Sequence, residues 1–228
     1  MKFTPSLISG RLIKRYKRFM ADIELDDGSI VTAHCANPGA MLGLLDANNK
    51  VWVNKSPDLN RKLAYNWQLV ECENTIIGVN TSLPNLLTHE AILAGAIPEL
   101  IGYEKIRREV KYGVDSRIDF LLEGEGRPSC YVEVKNVHLK RNNTAQFPDS
   151  VTARGTKHLQ ELTRMTAEGF RCVMLYVIQR NDCDVFSLAA DIDVKYADAA
   201  VIAKTAGVEF LVYCCEVTSQ EVKIVRSL

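Results

Sequence analysis

The segment Tyr131-Val132-Glu133-Val134-Lys135 is apolar enough for a buried strand, yet it carries a carboxylate and an ammonium. Side chains along a strand alternate faces, so Glu133 and Lys135 project the same way. Charges placed beside an apolar core need partners or neutralise. The preceding run SRIDFLL (116–122) reads as a second strand with Ile118, Phe120 and Leu122 on one face and Arg117 and Asp119 on the other. The turn EGEGRPS (123–129) returns the chain beside it, which sets Asp119 across from Glu133 and Lys135. Further upstream, Leu83, Leu86, Leu87, Glu90, Leu93, Ala94 and Ile97 follow the spacing of one helical face, with Glu90 its only charge. Packed on the hairpin, that helix would bring Glu90 together with Asp119, Glu133 and Lys135.

Such a set suits a hard divalent cation, Mg²⁺ or Mn²⁺. Mg²⁺ takes one or two protein carboxylates, keeps several waters and accepts phosphate oxygens. It lowers the pKa of a bound water and stabilises charge on phosphorus. A lysine beside it orients the attacking water and offsets charge on the phosphate. The alternative is an ordinary strand-face ion pair with Glu90 reaching solvent.

These residues need a framework. Residues 1–80 alternate short β-like runs, RYKRFMADIEL, SIVTAH, KVWVNKS and NWQLVEC, with turn clusters, and ANPGAMLGLL reads as one short helix. That pattern predicts a small OB-like barrel suited to nucleic acid. From 81 to 228 the order is α-β-β-β-α-β-α-β, with Ser82 and Pro84 opening the first helix and continuous apolar strands such as FRCVMLYVI, hence an α/β domain covered on both faces. The stretch Ala203-x3-Gly207-Val208 has the spacing of a helix-turn-helix turn, but EFLVYCCEV after it reads as a buried strand.

Basic and acidic residues balance at 28 each, so net charge points to no partner, whereas their distribution does. Arg11, Lys14, Arg15, Lys17 and Arg18 form one basic run, and Lys135, Lys140, Arg141, Arg154 and Lys157 enrich another stretch, while 182–198 is acidic. A chain polarised in this way can present a basic face, the kind that binds nucleic acid, the alternative being ordinary solvated surface charge. Arg154, Lys157 and His158, at a helix start, are candidates for phosphate contact. No apolar run reaches the roughly 18 residues of a membrane span. Seven cysteines without a C-x-x-C pair argue against a disulfide framework or zinc ribbon and fit a reducing cytoplasm. His34 and Cys35 lack the partners of a zinc site. Oligomeric state is not legible.

Asp119 followed by Glu133-Val134-Lys135 in this element order resembles the PD-(D/E)XK nuclease superfamily. More closely, HCANPGAM (34–41), RIDFLL (117–122), YVEVKNV (131–137) and FPDSVTARGTKHLQEL (147–162) resemble the sugar fermentation stimulation protein A family. The resemblance implies an OB-like domain joined to a nuclease-like domain, DNA binding, and a role in regulating sugar, notably maltose, catabolism. It also implies Asp119 and Glu133 as metal carboxylates, Lys135 as catalytic lysine and Glu90 as the helix glutamate. Ile118 departs from the superfamily's proline before the aspartate. Three functions compete: a metal-dependent nuclease on DNA, a non-cleaving DNA-binding regulator that is largely indifferent to sequence, and a hydrolase of small phosphoesters. The basic clusters speak against the third.

Overall fold

In the computed structural model, which describes residues 1–58, 60–113 and 116–228, the first basic run ends a strand and turns, and does not continue as one strand. Lys17 (φ 48°) and Arg18 (φ 64°) reverse the chain between β1 (Ile8–Tyr16) and β2 (Met20–Leu25). The strands β3 (Ile30–His34), β4 (Lys50–Lys55), β5 (Tyr65–Cys72) and β6 (Thr75–Gly78) follow in the order β3-β2-β1-β4-β5-β6. Parallel pairing of Ala33 with Tyr65 and His34 with Asn66 joins β3 to β5 and closes the barrel. Alternation fills it: Ala21, Ile23 and Leu25 point inward from β2, onto Leu12, Val51, Val53 and Trp67.

The helix expected in ANPGAMLGLL does not form. Pro38 and the left-handed residues Met41 (φ 53°) and Gly43 (φ 76°) break any helical run, and 36–45 is a loop. Its apolar residues are anchors instead, with Met41 and Leu44 buried in the barrel core.

The second domain opens with α1 (Leu83–Leu93) and then β7 (Lys105–Tyr112), β8 (Ser116–Glu123) and β9 (Cys130–Val137). After α2 (Ala153–Ala167) come β12 (Arg171–Ile178), α3 (Val194–Thr205), β14 (Glu209–Val217) and β15 (Val222–Ser227). The sheet order is β15-β14-β12-β9-β8-β7, with β9, β12 and β14 mutually parallel. Central β12 explains its unbroken apolar sequence: Val173, Leu175 and Val177 enter the core under α1, while Cys172, Met174, Tyr176 and Ile178 enter the core under α2 and α3. Not anticipated were β15 and a small sheet of β10 (Leu139–Arg141), β11 (Thr144–Phe147) and β13 (Val185–Leu188). Gly207 (φ 101°) ends α3 and leads into β14, whose Tyr213, Cys214 and Cys215 are buried, so no recognition helix follows. The fold class is the one expected, a small OB-like barrel followed by an α/β domain.

All seven cysteines are free thiols. No described helix is long and apolar enough to cross a membrane.

Candidate metal and phosphate site

The hairpin delivers its three charges to one place. The β8–β9 ladder pairs Leu122 with Cys130, Leu121 with Tyr131 and Phe120 with Val132. One residue further on, the Asp119 carboxylate takes over from the backbone: its Oδ2 accepts the Val134 N–H at 2.7 Å. Oδ1 accepts from the Asn85 amide of α1, also at 2.7 Å. Burial, and then the negative charge of Glu133, push the Asp119 carboxyl up to about 6.

Glu133 is 2 % exposed and faces α2. Lys135 Nζ donates to its Oε1 at 2.7 Å, and the same oxygen meets His158 Nδ1. Burial alone would raise this carboxyl, but the charge of Lys135 and the hydrogen bond from His158 hold it below its ordinary range. Arg154 Nε donates to His158 Nε2 at 3.3 Å, so Nδ1 is the nitrogen that carries the proton toward Glu133. Arg154 and His158 are four residues apart on α2 and stack along one helix face. Thr152 starts that helix by accepting the Gly155 N–H. His158 is thus buried against Glu133 and is not free for phosphate contact.

Glu90 does not join this group. The buried face of α1 is Leu83, Pro84, Leu87, Thr88 and Ala91, rotated from the stripe expected, and Leu93 is 67 % exposed. The Glu90 carboxylate is 58 % exposed and lies 2.8 Å from the Met1 ammonium. The first residues run beside β15, where Met1 donates to the Val222 carbonyl, and this packing draws Glu90 outward. Asn85, on the opposite side of the helix, reaches Asp119 in its place.

Above the carboxylates is a cleft of about 810 Å³, walled on the barrel side by Arg15, Arg18 and loop 37–40, and on the other by Asp119, Glu133, Lys135 and Arg154. Arg15 holds the loop, donating to the Asn37 and Gly39 carbonyls at 2.8 and 3.0 Å. From below, Asp149 accepts the Met41 N–H at 2.8 Å while meeting His138 Nε2 at 3.0 Å. A Cβ on Gly39 would lie 2.4 Å from both Asp149 oxygens, so only glycine permits the approach. Asp149 lies in the FPDS motif, but its role needs the barrel loop to be seen. Asn85 carried no sequence signal beyond its place on α1.

The other basic candidates divide. Arg18 and Arg154 line the cleft, whereas Lys17 and Lys157 are exposed outside it. Lys140 is paired with Asp182 at 2.7 Å and Glu73 at 3.6 Å, and Arg141 with Asp191 at 2.7 Å, both away from the cleft walls.

Whether these residues suit a divalent cation can be tested on the oxygens themselves. Among the described residues no group of three or more His, Cys, Asp or Glu is arranged to hold a metal. Two carboxylates meet, however, and buried Glu133 Oε2 has no hydrogen-bond partner among the described residues. A buried carboxylate oxygen without a donor, beside an aspartate whose charge it opposes, fits a cation that completes its shell with water and phosphate.

A family model described as "Sugar fermentation stimulation protein RE domain" matches residues 82–221, and one described as "SfsA N-terminal OB domain" matches residues 13–79. The sugar fermentation stimulation protein homolog of Maricaulis maris is 55% identical over 100% of this chain and 97% of its own length. That of Paramagnetospirillum magneticum is 56% identical over 94% of this chain and 91% of its own. The solved structure of Pyrococcus furiosus SfsA in complex with Ca²⁺ has the same fold, with a TM-score of 0.91 at 24% identity, covering 100% of this chain and 96% of that one. With both domain models and full-length relatives matched, the chain belongs to the sugar fermentation stimulation protein family.

Proposed function

We propose that the protein binds DNA across the cleft and hydrolyses phosphodiester bonds there with a divalent cation, Mg²⁺ or Mn²⁺, held by Asp119 and Glu133. The observation that carries this reading is the partnerless Glu133 Oε2, buried beside Asp119 and Lys135 at the floor of a cleft flanked by arginines. The Ca²⁺ in the complex of the Pyrococcus furiosus relative supports it, since that ion also prefers oxygen ligands. When bound, the cation supplies an acidified water and charge stabilisation at phosphorus. Asn85 and the Val134 N–H orient Asp119, and His158, fixed by Arg154, orients Glu133 so that Oε2 stays turned to the site. Lys135, at the cleft wall, stabilises negative charge growing on the phosphate oxygens. His158 has both ring nitrogens engaged and acts by positioning, not as a base. Residues 1–80 form the part that grips nucleic acid and 81–228 the part that carries the chemistry.

Incubating the purified protein with single- and double-stranded DNA and Mg²⁺ or Mn²⁺ tests the reading. Lys135→Ala is expected to lose cleavage by about two to four powers of ten with DNA affinity little changed. No metal-dependent product from the wild type on any DNA would overturn the enzyme. Calorimetric titration gives a second readout: Asp119→Ala should abolish Mn²⁺ binding. One observation favours the alternative, a non-cleaving, largely sequence-independent regulator of sugar catabolism, because no third carboxylate joins the pair among the described residues. Metal-free DNA binding without products is its signature.

A further inference from the structure

The hairpin that carries Asp119 also carries three cations that the cleft does not use. Its register sets Arg108 opposite Phe120, Val110 opposite Ile118 and Lys111 opposite Arg117. Regular alternation would put Ile106, Arg108 and Val110 on one face. Instead Ile106 and Phe120 belong to the core under α1, while Val110 and Ile118 belong to the core under α2. The two faces therefore exchange between these pairs, at Glu109 (φ 53°) and Asp119. Because of that exchange, Arg108 and Lys111 fall on the same face although three residues apart. Arg108 lies over the Phe120 ring at 5.7 Å, on the α1 side. Lys111 and Arg117, whose neighbours Val110, Tyr112 and Ile118 turn toward α2, project to the α1 side as well.

All three are exposed, and none forms an ion pair among the described residues. Their contrast is on the same strand: Lys105 and Arg107 share Glu123, at 3.8 and 3.7 Å. Like charges directly opposed across strands, as Lys111 and Arg117 are, destabilise a sheet unless something offsets them. Arg117 is two residues from Asp119, which lines the cleft, so the cations continue from its wall.

We infer that Arg108, Lys111 and Arg117 form a second phosphate-contacting surface, along which a nucleic-acid duplex runs after leaving the cleft. This rests on the DNA-binding reading above. Charge complementarity selects the partner: three cations in a row, none ion-paired among the described residues, match the regular phosphates of a duplex.

The test reads the slope of log affinity against log salt on a duplex of about 24 base pairs, to which each phosphate contact adds roughly 0.9. The triple variant Arg108→Gln, Lys111→Gln, Arg117→Gln should lower the slope by about 2 to 3. Arg117→Gln alone should remove about 0.9, which keeps the test usable should the triple variant fold poorly. Lys105→Gln with Arg107→Gln, on the other face, should leave the slope unchanged. An unchanged slope in a folded triple variant overturns this surface and leaves the cleft reading intact. A wild type that does not bind the duplex overturns both.

Discussion

Glu133 has one oxygen crowded by Lys135 and His158 and one without a partner among the described residues, and its neighbour Asp119 has its carboxyl raised by burial first and by the charge of Glu133 second. The folded state holds the Asp119 proton more tightly than the unfolded chain does. In metal-free protein, stability should therefore fall as pH rises from the ordinary value of 3.8 to about 6, insofar as this residue decides it. If Asp119 holds the cation as proposed, proton and cation compete for its carboxylate, and cation binding should weaken as pH falls through about 6. At pH 5 the Mn²⁺ affinity should be about tenfold lower than at pH 7, with a proton released per ion, measurable by calorimetry in buffers of different ionisation enthalpy. An affinity flat between those pH values would count against Asp119 as a ligand. Glu133 and Lys135 were legible because strand periodicity puts them on one face, whereas Ile118 and Phe120, expected on one face, enter opposite cores, an exchange at Asp119 that the alternation does not reveal. Glu90 was not, because its helix offers two overlapping apolar stripes, and only the covering of the helix decides between Glu90 and the fully buried Thr88.

At the level of elements, the loop 36–45 is held by contacts far apart in sequence. Arg15 takes its carbonyls from the barrel, and Asp149 takes the Met41 N–H from the second domain. Burial works to raise the Asp149 carboxyl, but the hydrogen bond and charge of His138, with the Met41 N–H, hold it below its ordinary value. Its contribution to stability is therefore complete above pH 3.8 and lost as pH falls below. Asp149→Ala leaves buried His138 and a backbone donor without their acceptor, at a cost of about 2–4 kcal/mol. Urea unfolding measures that cost, and faster hydrogen exchange at the Met41 amide locates it. The segment misled sequence reading because Met41, Leu44 and Leu45 have helical spacing, while the left-handed Met41 is imposed by tertiary contacts. The edge strand β15 went unread for a similar reason: Val222 and Ile224 are buried, but four of its six residues are exposed, too weak a pattern to detect alone.

For the whole molecule, the two folds share material. Trp52 and Leu69 of the barrel belong to the same core as Leu83, Leu87 and Phe120. Buried Gln179 bridges them further: its carbonyl accepts the Gly78 N–H at 2.8 Å, and its amide reaches Asn136 at 2.6 Å. One cooperative transition is expected, with calorimetric and van't Hoff enthalpies equal. Gly78→Ala, whose Cβ would lie 2.4 Å from the Gln179 side chain, should cost about 1–3 kcal/mol and lower that single transition without splitting it. Two resolved transitions in the wild type would contradict the shared core.

The loop between Arg15 and Asp149 has a consequence of calibre. It forms one jaw of the cleft, the carboxylate floor the other, and the gap between them is set by hydrogen bonds rather than by a hinge. Such a calliper gauges thickness before any base is read. If the cleft takes DNA as proposed, a strand that fits would be presented to Lys135 whatever its sequence, and one that is too bulky would first have to break the grip of Asp149 on the Met41 amide.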